Sequence, residues 1–482
     1  MSAALGPQPP AGAAPPPPAA DQLPLPSVIA AQARPSGPLP PLPPLPLHFV
    51  APEGIFVLRE QVASDTAQTG PPLPNPRFGT ILLSKSSKSS IKKVKPQLSK
   101  AAPLLVSKIL LNEQLAKILS FRPPETTYVL YNIGRSFFWA DMFSKSQNPL
   151  SIIQFKDSFV TCHDANPLTR ETMDSVLGFS TGDILWYSPI SGKMLRLNRQ
   201  GVMHKMAVTS IKWLPGSDSQ FMAGFEDGSI LFFDKDFEDQ PFSAPQTNED
   251  FMVWRPGKQQ KHNPIAYWKG AKKAITAISF SLDCQNVAFT SLDGTLKVVD
   301  YFDGKLLDTH KSYFGGLTCV AWSPDGKFII AGGQDDLVSV WTFRGRIVAR
   351  CQGHSSWVTG VAFDHHRCTD RNYRFGSVGE DTRLCLWDFS ISSLHRPRSI
   401  APSKYGSMPR SRSRLDVDRR VSFDAPVVHE PLPKSQVPII ESFAQCKGVH
   451  DSPLCSIAFR EDCIVTSDKS GFVRIWNRPQ PV

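Results

Sequence analysis

Four residues in one stretch could support nucleophilic chemistry. His354, Ser377 and Asp381 lie in GHSSWVTGVAF and YRFGSVGEDTRLCLWD, with Trp387 closing the run. A serine whose proton passes to a histidine held by an aspartate is the machinery of acyl transfer. On this fold class of short strands it would need a sharply strained turn of the G-x-S-x-G kind, and nothing around Ser377 has that form. The same residue types serve a different purpose when buried. His, Ser and the Trp indole N–H all need hydrogen-bond partners there, and a carboxylate orients an imidazole. The expectation is a structural tetrad and no catalytic residue. Paired carboxylates, a phosphate-cradling glycine loop and metal-spaced His/Cys sets do not stand out. Asp364-His365-His366-Arg367-Cys368 places metal-ligating types side by side, but in a loop position and without a second ligand pair. No metal and no cofactor are therefore expected.

The elements that must hold such a tetrad recur along the chain. AITAISFSLDCQNVAFTSLDGTLKVVD turns at Asp293-Gly294, LTCVAWSPDGKFIIAGGQDDLVSVW at Asp335-Asp336, and the third unit at Asp381, giving spacings of 42 and 46 residues. Short runs alternate apolar and polar residues between Asp-Gly turns, the pattern of antiparallel strands. The period and the Gly-His…Trp-Asp frame are the signature of a WD40 propeller blade. Residues 208–234 and 454–478 fit the template, 160–189 fits it less well, and 126–143 supplies strands around Gly134-Arg135. The fold expected is all-β, a seven-bladed WD40 β-propeller closed by an N-terminal strand, since an open stack would expose strand edges. The tetrad is complete in the sequence only around Asp381.

The attachments differ in composition. The chain has 482 residues and 44 prolines, concentrated in 1–47, which reads as a disordered Pro-rich tail. Residues 48–125 read as a short docking segment and basic linker, 126–390 as propeller blades, 391–436 as a disordered basic Ser/Arg-rich insertion, and 437–482 as the last blade and C-terminus. A further insertion at 251–268 carries aromatics that should pack across a blade edge. The net charge of +10 lies mostly outside the blades, in the lysine-rich segment 85–95 and in 396–420, without interleaved stacking aromatics. Nucleic acid is accordingly not an expected partner. Nine cysteines without a C-x-x-C pair point to a reducing compartment. With no signal peptide and no membrane-spanning run, the expected location is cytoplasmic, nuclear or both, with no membrane partner.

KSYFGGLTCVAWSPDGKFIIAGGQDDLVSVW, with Phe314-Gly315-Gly316 where Gly-His normally stands, together with GHSSWV, YRFGSVGEDTRLCLWD, EDCIVT, VTCHD and KHNPIAYW, closely resembles the family of WD-repeat protein 20 and the fungal protein CreC. The resemblance runs from about Thr126 to Arg478. It implies a non-catalytic scaffold that binds and activates a ubiquitin-specific protease, usually together with a second WD-repeat protein. Loops of successive blades converge on one face, and by register Lys205, Lys272, Phe314, Trp357 and Glu380 should lie on it. Phe314 and Trp357 are either interface anchors or covers of the core. A cullin-type ligase substrate receptor is the alternative reading, although Trp387-Asp388-Phe389-Ser390 lacks the arginine of the usual Trp-Asp-x-Arg element. A nucleic-acid-associated scaffold using the basic segments is a third.

Overall fold

Val160-Thr161, Val208-Thr209, Ile275-Thr276, Leu317-Thr318, Val358-Thr359 and Leu454-Cys455 share one pattern, an apolar residue followed by a small polar one. Each opens the innermost strand of a blade, and in each the antiparallel register slips at the second residue. Such a bulge leaves the extra residue unpaired within its own sheet. The threonine hydroxyls use that freedom to bridge blades. Thr161 Oγ1 donates to the carbonyl of Val208 at 2.6 Å, Thr209 to Ile275 at 2.6 Å, Thr276 to Leu317 at 2.8 Å and Thr359 to Leu454 at 2.6 Å, and Thr318 likewise reaches Val358. Five threonines thus pin six inner strands in series, from Val160-Thr161 to Leu454-Cys455.

The computed structural model describes residues 47–62, 91–94, 105–112, 115–121, 126–142, 149–257, 261–390 and 426–479, and its strands form seven blades. Blade 2 is the simplest, with Val160–Ala165, Ser175–Phe179, Ile184–Ser188 and Lys193–Leu197 in order from the inside outward. Blade 5 follows the same order with Leu317–Trp322, Phe328–Gly333, Leu337–Thr342 and Ile347–Gln352. Apolar clusters lie between neighbouring blades. One joins Ile330, Val340 and Cys351 of blade 5 to Val358, Phe375 and Trp387 of blade 6. Another joins Leu386 of blade 6 to Leu454 and Trp476 of blade 7. Burial between facing sheets is what holds a propeller together, since each blade has two apolar faces and no core of its own.

Three blades take their fourth strand from outside their own run of sequence. Blade 7 takes Gly54–Val62 as its outer strand, beside Val473–Asn477, with His48–Ala51 beyond it, so the N-terminal segment closes the ring. Phe49 stacks on Phe56 and meets the edge of Trp476, which buries the hairpin against the core. Blade 1 consists of Tyr128–Ile133, Ser136–Asp141 and Ser151–Phe155, and its outer strand is Val106–Asn112, with Ile91–Val94 outside that. Blade 6 is completed by Ala444–Cys446, more than fifty residues after Leu384–Ser390.

These placements correct the expected boundaries. Residues 48–125 are not merely a docking segment and linker, because they contribute outer strands to blades 7 and 1. The expected unstructured insertion 391–436 contains Val427–His429, which pairs in parallel with the outer strand Lys305–Lys311 of blade 4. Ile439–Glu441 then pairs in parallel with Ile347–Gln352 of blade 5 before the chain enters blade 6, so 437–482 is more than the last blade. The segment 426–446 therefore runs along the edges of three consecutive blades and gives their exposed backbone groups partners. The Pro-rich tail 1–46, most of the basic linker and residues 391–425 lie outside the described residues. The aromatic insertion packs as expected on an edge, with Met252–Trp254 pairing to Ala266–Lys269 of blade 3. Among the described residues no helix is long and apolar enough to cross a membrane.

Candidate functional site

His354, Ser377, Asp381 and Trp387 are joined in one chain of hydrogen bonds. The indole N–H of Trp387 donates to Ser377 Oγ at 2.8 Å. Ser377 Oγ lies 2.7 Å from His354 Nε2, and His354 Nδ1 lies 3.0 Å from Asp381 Oδ1. An indole can only donate and a carboxylate only accept, so the direction is fixed at both ends. Ser377 donates to Nε2, and His354 carries its proton on Nδ1. Burial raises the Asp381 carboxyl, but the His354 bond and the backbone N–H groups of Ser355 and Arg383 outweigh it and hold the group below its ordinary value. The constellation has the bonding order of a hydrolytic triad, yet Ser377 is fully buried and its oxygen is already bonded by Trp387. No substrate reaches it, and the four side chains tie the lead-in loop, two strands and the tight turn together.

Blade 7 holds a second tetrad that the sequence reading missed. Trp476 Nε1–H donates to Thr466 Oγ1 at 2.9 Å, Thr466 donates to His450 Nε2 at 2.8 Å, and His450 Nδ1–H donates to Asp468 Oδ2 at 2.7 Å. The aspartate stands two residues after the hydroxyl instead of four, which hides it from the spacing template. Asp468 occupies the place of Gly379 in blade 6. A Cβ at Gly379 would fall 2.9 Å from Asp381 Oδ1, His354 Nδ1 and the Trp357 carbonyl, so only glycine fits where the carboxylate comes from the later position. In blade 7, Ser470 at the Asp381 place donates through its hydroxyl and its N–H to Asp468.

One backbone bond fixes the register of the loop-bearing face. The residue after the second strand donates its N–H to the carbonyl just before the first, as Ser180 to Phe159, Glu226 to Ala207, Leu292 to Ala274, Gln334 to Gly316, Glu380 to Trp357 and Lys469 to Pro453. Trp357 is thereby the counterpart of Ala274, and Glu380 adjoins it. The N–H of Lys272 donates to Asp293 as that of Ser355 does to Asp381, each at 2.9 Å. All five expected partner-binding residues lie in lead-in loops or tight turns of this kind. Phe314 is 72 % exposed and Trp357 45 %. Lys205 is exposed, Lys272 is exposed and paired with Asp250, and Glu380 accepts from Lys469 Nζ at 2.6 Å.

Phe159 was not anticipated. It is 50 % exposed at the same register as Trp357, with the Arg135 guanidinium 4.9 Å above its ring. The signal was present in the sequence, since Phe159 directly precedes Val160-Thr161 as Trp357 precedes Val358-Thr359. Beside Phe314 a cavity of about 440 Å³ extends from blade 5 to His354 of blade 6, lined also by Tyr313, Asp335, Arg350 and Lys434. Burial pushes the Asp335 carboxyl up to about 6. Arg350 stacks on Tyr313 at 4.5 Å and donates to the Leu432 carbonyl at 2.7 Å, so the edge-crossing segment forms one wall.

Other reactive types are occupied structurally. Asp364 accepts a bidentate pair from Arg478 at 2.7 and 2.9 Å, while His365 and His366 point outward, so the Asp364–Cys368 run does not converge on a metal. All nine cysteines are unpaired, and burial pushes the Cys319 thiol up to about 11. Asp388 gives both oxygens to Arg374 at 2.8 and 2.6 Å.

Comparison with known proteins agrees with this architecture. The WD domain, G-beta repeat family matches residues 262–300, 304–342 and 345–388, the stretch from the outer strand of blade 3 through blade 6. Among solved structures, a chain in the crystal structure of the mitotic checkpoint complex superposes with a TM-score of 0.50 over 85 % of this chain and 99 % of that one; at 12 % identity it speaks for the fold alone. The UBP9-binding protein bun62 of Schizosaccharomyces pombe is 38 % identical over 436 residues, covering 82 % of this chain and 80 % of the relative. With identity of that extent over most of both chains, this chain belongs to the same WD-repeat family as bun62.

Proposed function

We propose that this chain is a non-catalytic scaffold that binds a ubiquitin-specific protease through the loop-bearing face of blades 5 and 6 and raises its activity. The observation that carries the reading is the pair Phe314 and Trp357, two large aromatics exposed in corresponding loops of adjacent blades beside a cavity of about 440 Å³. Apolar rings held out on a rigid rim are the usual anchors of protein interfaces. The relative's name, a UBP9-binding protein, supports a protease of this class as the partner. The resemblance to WD-repeat protein 20 and CreC supports activation and the participation of a second WD-repeat protein. Cytoplasm and nucleus are the proposed locations.

Activation follows if the propeller binds the protease's productive conformation more tightly than its idle one, since a ligand shifts an equilibrium only by its differential affinity. The effect then appears as a higher catalytic rate on a generic ubiquitin conjugate. The ligase-receptor alternative gains nothing from Asp388, whose carboxylate is committed to Arg374. Affinity purification of the tagged full chain tests the reading: a ubiquitin-specific protease as the leading partner, with faster conjugate hydrolysis on adding back the chain, is the expected result. A cullin adaptor in its place would overturn it.

A further inference from the structure

Asp308 and His310 alternate along the outer strand of blade 4 and so share one face, and His429 lies directly across the parallel pairing from His310. Their three ligand atoms lie within 4.8 Å of one another. His310 is fully buried, and neither of its ring nitrogens has a hydrogen-bond partner. A buried imidazole normally satisfies at least one nitrogen. The His429 ring stacks on it at 4.5 Å and 11°, His429 Nε2 lies 3.3 Å from Asp308 Oδ1, and Asp308 Oδ2 likewise lacks a hydrogen-bond partner.

We infer that Asp308, His310 and His429 form a binding site for a divalent transition-metal ion, zinc in the first instance, that fastens the edge-crossing segment to blade 4. Two imidazoles and one carboxylate are the N/O donor set that zinc accepts, and a fourth position remains toward solvent, where His429 is 16 % exposed. Donor atoms around tetrahedral zinc stand roughly 3.3 Å apart, given metal–ligand bonds of about 2 Å. Binding therefore requires the His429 ring, the most exposed of the three, to turn about its side-chain torsions. The Arg344 guanidinium lies 4.0 Å from Asp308 Oδ2, while His429 faces the other oxygen, Oδ1.

Because His310 and Asp308 belong to the blade and His429 to the segment, the ion binds only when the segment is docked. Metal affinity and docking are then the same equilibrium. The segment also forms a wall of the cavity beside Phe314, through Lys434, Val437 and Ile439, so the ion would steady that wall.

The test uses the full chain, stripped with a chelator, desalted and titrated with zinc sulfate, with bound zinc counted after gel filtration. Hydrogen exchange at the amides of 427–429 is followed with and without zinc. His429→Phe keeps a stacked ring but removes the donor, and His310→Ala removes the buried one. The wild type should retain one zinc ion more per chain than either variant, bind it at least tenfold more tightly, and show slower exchange at 427–429 when zinc is present. Equal zinc content in the wild type and His429→Phe would overturn the site. So would wild-type exchange at 427–429 that zinc leaves unchanged, a result that needs no variant to fold.

Discussion

Blades 5 and 6 are neighbours of the same register with opposite interiors. In blade 6 the lead-in loop carries His354, and its imidazole is tied to Ser377, Asp381 and, through Ser377, to Trp387. In blade 5 the corresponding loop is Phe314-Gly315-Gly316, the Ser377 place is Ala331, and the loop is held instead by Gln334, whose Oε1 accepts from the Gly316 N–H at 2.8 Å. Trp341 remains buried at the Trp387 place but meets His310 of blade 4. A tetrad turns the polar groups of loop and turn inward. Without one, the same positions are free to present side chains outward, and blade 5 presents Tyr313, Phe314 and a cavity. The difference separates a blade whose loop and turn are locked by a tetrad from one that leaves a cavity beside its exposed ring, although each presents an aromatic on the same face.

The comparison breaks most readily at the buried tryptophan. Trp387→Ala should cost about 3–5 kcal/mol, as large-to-small changes of buried aromatics do, and thermal melting of the full chain should show it. A loss under about 1 kcal/mol would mean that the tetrad blade is no stiffer than its neighbour.

A smaller effect, about 1–3 kcal/mol, is expected for Asp381→Ala, which leaves the buried His354 N–H without its acceptor. Unchanged melting would contradict the structural role of Asp381.

The pH dependence sharpens the contrast further, because the two blades carry aspartates of opposite sign. Asp381 titrates below its ordinary 3.8 in the folded chain, so its stabilisation is present above that value and disappears as pH falls through the folded value. Asp335 is raised to about 6 by burial, so its ionisation works against folding as pH rises from 3.8 through 6. Asp335→Asn should therefore melt slightly above the wild type beyond about pH 6 and match it near pH 4, whereas Asp381→Asn should melt below the wild type at neutral pH. Parallel pH profiles for the two variants would remove the distinction.

What could be read beforehand follows from how local each signal is. The tight turns at Asp293 and Asp381 and the lead-in positions of Phe314 and Trp357 depend on spacing within one repeat, and their register agrees with the backbone bonds. The second tetrad was hidden by a two-residue shift of its aspartate. The apolar-Thr dipeptides were legible but carry their meaning only once the bulges and the inter-blade bonds are seen together. Outer strands were least legible. Gly54–Val62 finds its partner at Val473–Asn477, and Val427–His429 at Lys305–Lys311, so nothing local to either segment names its place. The cluster of Asp308, His310 and His429 was invisible for the same reason, being assembled from residues about 120 apart.

The most direct measurement of the central claim is protease affinity for the doubly substituted Phe314→Ala, Trp357→Ala chain, beside its melting temperature. Both rings are well exposed, so melting should be nearly unchanged, while binding should weaken by about 2 kcal/mol or more and activation fall in parallel. A well-folded double variant that binds and activates the protease as the wild type does would contradict the assignment of this face.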